Sequence, residues 1–309
     1  FINAEFVTQK IHPSNILLFS PLIMTTQIKI TECPRDAMQG FTNFIPTDVK
    51  IAYINQLLKV GFDVIDFGSF VSPKAVPQMK DTEDVAAGLE LSSTNSQLLS
   101  IIGNAGGAER AEKFDFIKFL GYPHSVSNTF LQRNINSNIE DSLNRIREIQ
   151  NRCVISGKSL LVYISMAFGN PYNDPWNDDL VAAAVEDLVK EGVKYIALSD
   201  TIGEAQPENI SYLFRHLIPQ FPGVEFGAHF HTTPKNWQNN VAAAYESGCR
   251  KFDSALMGFG GCPMAKDELT GNLPTENLLS FCDENQLDSG IQRDEFLKAM
   301  AMAPSVFHR

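Results

Sequence analysis

The chain has 309 residues, 44% of them hydrophobic and 20% charged, which is typical of a globular protein with a large core and excludes a disordered chain. Its formal net charge of -11 argues against nucleic acid or an anionic membrane surface as a partner. An anionic substrate would therefore need a metal ion or a local cluster of positive charge. The five cysteines form no CxxC pair, so we expect no disulfide framework and a reducing, cytoplasmic compartment.

An apolar run at residues 16–24 is too short to span a bilayer and is interrupted by Ser20 and Pro21. It has neither a basic segment before it nor a small-residue cleavage site, so it fits a signal peptide poorly. The first strand-like pattern opens at Met24. We therefore predict that residues 1–23 are an extension outside the core fold and that residues 24–309 form a single domain.

Strand-like apolar runs alternate with helix-like segments along nearly the whole chain, which is the pattern of βα units and a parallel sheet. The runs lie at residues 27–32, 64–70, 98–103, 114–120, 160–167, 194–200, 225–231 and 251–257. Eight such units without a Pro- or Ser-rich linker predict an α/β fold of the TIM (β/α)8 barrel type. A doubly wound open sheet is the alternative, although the G-x-G-x-x-G signature that would favour a dinucleotide fold is absent.

The helix-like segments have apolar residues at helical spacing. They predict helices at residues 47–60, 138–154, 180–191, 206–217 and 235–247. Gly61, Gly192 and Gly248 are placed to end three of these helices. Residues 292–302 predict an extra C-terminal helix, which we expect to pack under the barrel.

Several polar residues fall at the C-terminal ends of strands, where a barrel gathers its catalytic groups. Alternation along the seventh strand places His229 and His231 on one face, so their imidazoles can chelate one ion. Asp36 follows the first strand and Asn272 follows the eighth, and both strands neighbour the seventh in a closed barrel. This set has no thiolate, so it predicts Mg²⁺ or Mn²⁺ as the cofactor. An isolated His-x-His also fits a pair of surface histidines or a helix cap.

Other strand-end residues allow two interpretations. Arg35 either pairs with a barrel carboxylate such as Asp66 or polarises a carbonyl that becomes an enolate oxygen. Asp200 either orients a histidine or water, or caps the segment that follows it. Cys153 and Cys249 fit packing positions.

The segment at residues 257–272, MGFGGCPMAKDELTGN, places Cys262 in a glycine-rich loop. Gly258, Gly260 and Gly261 permit backbone conformations closed to other residues and a close approach to a ligand. A thiol in such a loop fits chemistry, whereas the alternative is a packing cysteine.

From about Lys29 to Leu279 the sequence resembles the 3-hydroxy-3-methylglutaryl-CoA lyase family, whose members are metal-dependent lyases built on a TIM barrel. The resemblance rests on ECPRDAMQ at residues 32–39, SFVSPKAVPQM at 69–79, SDTIG at 199–203, AHFH at 228–231 and the glycine-rich loop through Gly271-Asn272-Leu273. Arg-Asp and His-x-His extend to homocitrate- and isopropylmalate-synthase-like enzymes, but the Gly-Gly-Cys-Pro loop singles out the lyase branch.

The resemblance implies a carbon–carbon lyase that cleaves 3-hydroxy-3-methylglutaryl-CoA into acetoacetate and acetyl-CoA, as in leucine degradation, and that forms a homodimer. It implies a divalent cation bound by Asp36, His229, His231 and Asn272. Arg35 would stabilise the enolate, Asp36, His229 or a water would be the base, and Cys262 would be the acid. We expect substrate contacts from Asp66, Ser69, Asp200, Gly260 and Gly261.

The chain departs from the family pattern at several positions. Asp66 stands where the family usually has glutamate, Thr232 where it has aspartate, Leu161 where it has arginine, and Met264 where it has an aromatic residue. The loop after Gln39 also lacks the usual basic residue. These changes keep two alternatives open, namely a related aldolase or condensing enzyme acting on a smaller 2-oxo acid, and a non-catalytic metal-binding barrel.

Overall fold

Eight parallel strands close into a barrel in the computed structural model, which describes residues 27–261 and 270–307. Each strand pairs with the next, and the eighth pairs with the first. The strands are β1 (Lys29–Glu32), β2 (Val64–Ser69), β3 (Gln97–Ile101), β4 (Ile117–Ser125), β5 (Ser159–Ser165), β6 (Tyr195–Asp200), β7 (Glu225–Thr232) and β8 (Lys251–Ser254). A short ninth strand, β9 (Gly271–Asn272), pairs antiparallel with β7. The predicted TIM barrel is confirmed.

Eleven α-helices surround the barrel within the described ranges. They are α1 (Pro34–Gln39), α2 (Thr47–Leu57), α3 (Thr82–Ala87), α4 (Ala105–Glu112), α5 (Asn128–Ile135), α6 (Ile139–Ser156), α7 (Asp178–Lys190), α8 (Pro207–Gln220), α9 (Trp237–Glu246), α10 (Thr275–Glu284) and α11 (Arg293–Phe307). Gly61, Gly192 and Gly248 all have positive φ angles and follow α2, α7 and α9 as predicted. The helices α1, α3, α4, α5 and α10 were not predicted, and most of them are too short to show a clear helical period.

Two strands were predicted with wrong bounds. The fourth was predicted at residues 114–120, but β4 runs from Ile117 to Ser125, and Phe114 lies in the connection after α4, where its ring packs against Phe70 with centroids 5.9 Å apart. Its apolar character therefore reflects packing between loops. The eighth strand was predicted to reach Met257, but Met257 adopts a left-handed conformation, with φ 59°, in a 3₁₀ turn.

The extra C-terminal helix is confirmed, but its predicted position under the barrel is wrong. The α11 helix packs along α2, and Phe307 in its last turn reaches the end of the barrel that carries the glycine-rich loop. The Phe307 ring stacks on Phe259 with centroids 4.4 Å apart and meets Tyr53 edge-on. The helix therefore packs against the glycine-rich loop at Phe259.

Apolar side chains fill the barrel both between strands and helices and inside the lumen. The lumen cluster consists of Val64, Leu99, Ile101, Phe119, Leu161, Tyr163 and Ala197. Leu161 is therefore part of a closed apolar layer. The buried polar residues described next lie at the C-terminal ends of the strands. No helix within the described ranges is long and apolar enough to span a membrane. The predicted extension at residues 1–23 lies outside the described residues.

Candidate metal and active site

Three predicted metal ligands converge at the C-terminal end of the barrel. Asp36 lies in the first turn of α1, directly after β1, while His229 and His231 lie on the same face of β7. One ligand atom from each of the three residues lies within 4.8 Å of the other two. The cluster can thus hold one cation, as the strand alternation predicted.

The electrostatics of this cluster suit cation binding. Burial opposes the charge of Asp36, but Arg35 and His229 outweigh it and lower the pKa of Asp36 to about 2. Burial and the neighbouring His229 lower the pKa of His231 to about 4. At neutral pH the site therefore offers an ionised carboxylate and an uncharged imidazole, the forms in which these groups bind metals.

Arg35 links the cluster to β2. Its Nε and Nη2 atoms donate to Asp66 Oδ2 at 2.9 and 2.5 Å, and its Nη1 donates to Asp36 Oδ1 at 2.8 Å. Gln39 Oε1 accepts a further bond from Nη1 at 2.9 Å. Burial raises the pKa of Asp66 to about 6, and the carboxylate stays ionised at neutral pH beside the guanidinium. The ion pair considered for Arg35 is present, and it aims the guanidinium at the cluster.

Asn272 reaches the same cluster from β9, where it stands opposite His231. Its Nδ2 donates to Asp36 Oδ2 at 2.9 Å and to the Phe259 carbonyl at 2.8 Å. Asn272 thus contacts a candidate ligand, and its own role as a metal ligand stays a prediction.

The described part of the glycine-rich loop comes very close to this site. A Cβ added at Gly260, where φ is 87°, would lie 2.7 Å from Asn272 Nδ2 and 2.8 Å from the Asp36 carbonyl oxygen. Gly261 has a φ of 140° and lines the cleft described below. Any side chain at Gly260 would push the loop away from Asp36. Cys262 lies outside the described residues.

Asp253 is a site residue that was not predicted. It lies on β8 opposite His229, and its Oδ2 contacts His229 Nδ1 at 3.1 Å. Burial opposes the imidazolium, but this contact and the charges of Asp253 and Asp36 raise the pKa of His229 overall. Asp253 fixes the imidazole so that Nε2 is the nitrogen left for a ligand. Strand alternation from Lys251 could have shown that Asp253 faces the lumen.

Of the two predicted substrate-binding residues Ser69 and Asp200, only Ser69 lines the cleft described below. The Ser69 hydroxyl donates to the Ile101 carbonyl at 3.3 Å. The Asp200 carboxylate accepts backbone N–H bonds from Gly203, Glu204 and Ala205 at 2.9 to 3.1 Å. It therefore holds the loop that leads to α8, as in the second interpretation of this residue.

A cleft of about 680 Å³ opens onto the cluster. Its wall includes Arg35, Asp36, His229 and His231, and polar groups that were not predicted, namely Gln39, Asn104, Ser165, Ser199 and Thr201. Arg133 of α5 and Arg145 of α6 also line it. The Arg133 guanidinium lies over the Tyr172 ring, 4.8 Å from its centroid, and Arg145 donates to the Ile135 carbonyl at 3.3 Å. The cleft thus supplies positive charge within an acidic protein.

The fold and the site together define a TIM barrel with a candidate site for a divalent cation at the C-terminal ends of its strands. Residues 27–302 match the model of the HMGL-like family, and the chain belongs to that family. The predicted resemblance is confirmed.

Named relatives and solved structures agree with this assignment. The chain is 32% identical to mitochondrial hydroxymethylglutaryl-CoA lyase of Bos taurus over 92% of this chain and 86% of the relative. It is 30% identical to hydroxymethylglutaryl-CoA lyase YngG of Bacillus subtilis over 86% and 88%, respectively. A structure of an HMG-CoA lyase from Acinetobacter baumannii with coenzyme A and 3-methylmalate matches with a TM-score of 0.84 and 32% identity over 92% of each chain.

Proposed function

We propose that this chain cleaves 3-hydroxy-3-methylglutaryl-CoA into acetoacetate and acetyl-CoA. The observation that carries the proposal is the convergence of Asp36, His229 and His231 beside the Arg35 guanidinium, at the head of a cleft lined by further arginines. Membership of the HMGL-like family and the relatives named hydroxymethylglutaryl-CoA lyase support the same reaction.

The proposed cofactor is Mg²⁺ or Mn²⁺, held by Asp36, His229, His231 and Asn272. These residues fit such an ion because they offer nitrogen and oxygen donors and because Asp36 is ionised when buried among them. When bound, the cation would fix the substrate oxygens and favour ionisation of the tertiary hydroxyl.

The chain's own groups divide the remaining chemistry. Asp36, His229 and a water are the proposed bases for the hydroxyl proton. His229 can act as the base only while its Nε2 is not bound to the cation, because its Nδ1 contacts Asp253. Arg35, held by Asp66 and unable to lose its charge, stabilises the negative charge on the thioester oxygen as the carbon–carbon bond breaks.

Cys262 is the proposed donor that protonates the acetyl-CoA carbon. The proposal rests on its position in the sequence, one residue after Gly261, which lines the cleft. A useful donor must remain a thiol until that step.

The acyl-CoA would lie along the cleft. Its phosphates carry negative charge, which Arg133 and Arg145 can offset by charge-assisted hydrogen bonds. Ser69 and Gly261 also line this cleft and are proposed to contact the substrate. Asp66 and Asp200 are proposed to act on the substrate indirectly. Asp66 acts through Arg35, and Asp200 acts through the loop before α8.

Incubation of the purified chain with 3-hydroxy-3-methylglutaryl-CoA, with separate detection of acetoacetate and acetyl-CoA, tests the proposal. We expect equal amounts of both products. Turnover of a smaller 2-oxo acid with none of the thioester would favour the aldolase or condensing alternative. Metal binding without turnover of either substrate would favour the non-catalytic barrel.

The homodimer, the cytoplasmic compartment and a place in leucine degradation are further proposals. The dimer and the pathway rest on the family resemblance. The compartment rests on cysteine usage, and Cys33, Cys153, Cys249 and Cys282 are free and buried, which fits a reducing environment. Light scattering of the purified chain tests the dimer, and a mass equal to one chain would reject it.

A further inference from the structure

A second cluster of metal-ligating side chains lies beside the proposed catalytic site. It consists of Cys33, His229 and Asp253, and one ligand atom of each lies within 4.8 Å of the others. Cys33 follows β1 and is 1% exposed, and Asp253 is 3% exposed on the neighbouring β8. The cluster shares His229 with the first site, but its other two members are different residues.

Carboxylates outnumber the single guanidinium beside the cluster, since Asp36 and Asp66 both act electrostatically on Cys33 against Arg35. Asp66 interacts electrostatically with both Cys33 and Asp253. Its Oδ1 is buried and has no hydrogen-bond partner among residues 27–261 and 270–307. A buried carboxylate oxygen without a partner is costly, and a nearby cation would offset that cost. The Cys33 thiol is also weakly engaged, since the Thr31 carbonyl that it contacts lies 3.8 Å away.

The chemistry of the donors distinguishes the two clusters. The first offers nitrogen and oxygen donors, which suit Mg²⁺ or Mn²⁺. The second adds the sulfur of Cys33, and a thiolate, an imidazole and a carboxylate together suit a thiophilic cation such as Zn²⁺ or Cd²⁺. We propose that Cys33, His229 and Asp253 form a separate site for a thiophilic divalent cation.

A cation in this site would replace the contact that His229 Nδ1 makes with Asp253. The Nδ1 atom now contacts Asp253 Oδ2 at 3.1 Å, and the cation would take the place of the proton between them. Binding therefore releases protons from the imidazole and from the Cys33 thiol. Two cations sharing one histidine repel each other, so a thiophilic cation weakens the binding of Mg²⁺ or Mn²⁺ at the first site. The cleft reaches His229 and gives the ion a route of entry.

Titration of the chelator-treated full chain with Cd²⁺ tests this inference through the ultraviolet absorption of a thiolate–Cd²⁺ bond. All variants are made in a chain that carries Cys262→Ser, because Cys262 is another thiol that could bind the Cd²⁺ probe. We expect absorption that saturates at one ion per chain. Cys33→Ser should abolish it and Asp253→Asn should weaken it. The matched control is Cys249→Ser, because Cys249 is also buried but contacts the backbone carbonyl of Lys251 at 3.2 Å. That variant should keep the full absorption.

Undiminished absorption in Cys33→Ser would overturn the site. If that variant does not fold, the cadmium-113 resonance of the folded Cys262→Ser chain decides the question. A shift typical of one sulfur ligand supports the site, and a shift typical of nitrogen and oxygen ligands alone rejects it. These measurements need no acyl-CoA, so their outcome is independent of whether the chain cleaves 3-hydroxy-3-methylglutaryl-CoA.

Discussion

Replacing Glu32 by glutamine should remove a pH-dependent loss of stability. Glu32 is 1% exposed at the end of β1, three residues before Arg35. Its Oε1 accepts the Leu256 N–H at 2.8 Å, and its Oε2 lies 2.6 Å from the Thr275 hydroxyl. Glu32 therefore joins β1 to the turn after β8 and to α10, the elements on either side of the glycine-rich loop.

The expected magnitude comes from the pKa of Glu32. Burial raises this pKa from 4.5 to about 8, against the opposing effect of the bonds from Thr275 and Leu256. Between these two pH values the folded chain holds a proton that the unfolded chain has lost, so stability falls as pH rises through this window. Above the pKa of Glu32 in the folded chain, the free energy of unfolding is lower by at most about 5 kcal/mol, because each unit of pKa difference corresponds to about 1.4 kcal/mol.

Urea unfolding followed by circular dichroism, at a series of pH values between 4.5 and 8, measures this effect. The glutamine side chain cannot ionise, and its amide can replace the protonated acid beside Thr275. Glu32→Gln should match the wild type near the lower pH and exceed it by several kcal/mol near the upper one, within the bound of about 5 kcal/mol. Glu109→Gln, at an exposed position on α4, is the control and should follow the wild type throughout. A constant difference between Glu32→Gln and wild type across the window would refute the reasoning.

Three further predictions concern the site. Asp253→Asn should lower turnover or Mn²⁺ affinity about 10- to 100-fold because His229 loses the group that orients it; unchanged kinetics and calorimetry would remove Asp253 from the site. Arg133→Gln should raise KM for the acyl-CoA about tenfold, the value of one charge-assisted hydrogen bond, and a fall confined to kcat would contradict this placement. Cys262→Ser should reduce turnover about 10²- to 10⁴-fold as expected for a lost general acid, with metal affinity near normal; loss of the metal would instead indicate a structural loop.

The barrel and its candidate metal cluster could be predicted because both depend on short-range patterns. Strand alternation places His229 and His231 on one face of a strand, independently of contacts with the rest of the chain. Closure of eight strands then brings Asp36 beside them. Neither exact strand boundaries nor side-chain conformations are needed to place these three residues together.

The features that the sequence did not reveal depend on contacts between distant segments. Asp253 becomes a partner of His229 through the register of β7 against β8, which the sequence does not specify. The position of α11 is set by Phe307 stacking on Phe259, a contact between residues 48 positions apart. The role of Asp200 depended on whether a loop would fold back to bring three N–H groups to its carboxylate.

Removal and restoration of the divalent cation tests the central claim most directly. The chain is treated with a chelator, assayed for cleavage of 3-hydroxy-3-methylglutaryl-CoA, and assayed again after addition of Mg²⁺ or Mn²⁺. We expect that turnover falls to background, returns as one ion binds per chain, and does not return in His229→Ala. Full turnover by the metal-free chain, or full turnover by His229→Ala at complete metal occupancy, would contradict the claim.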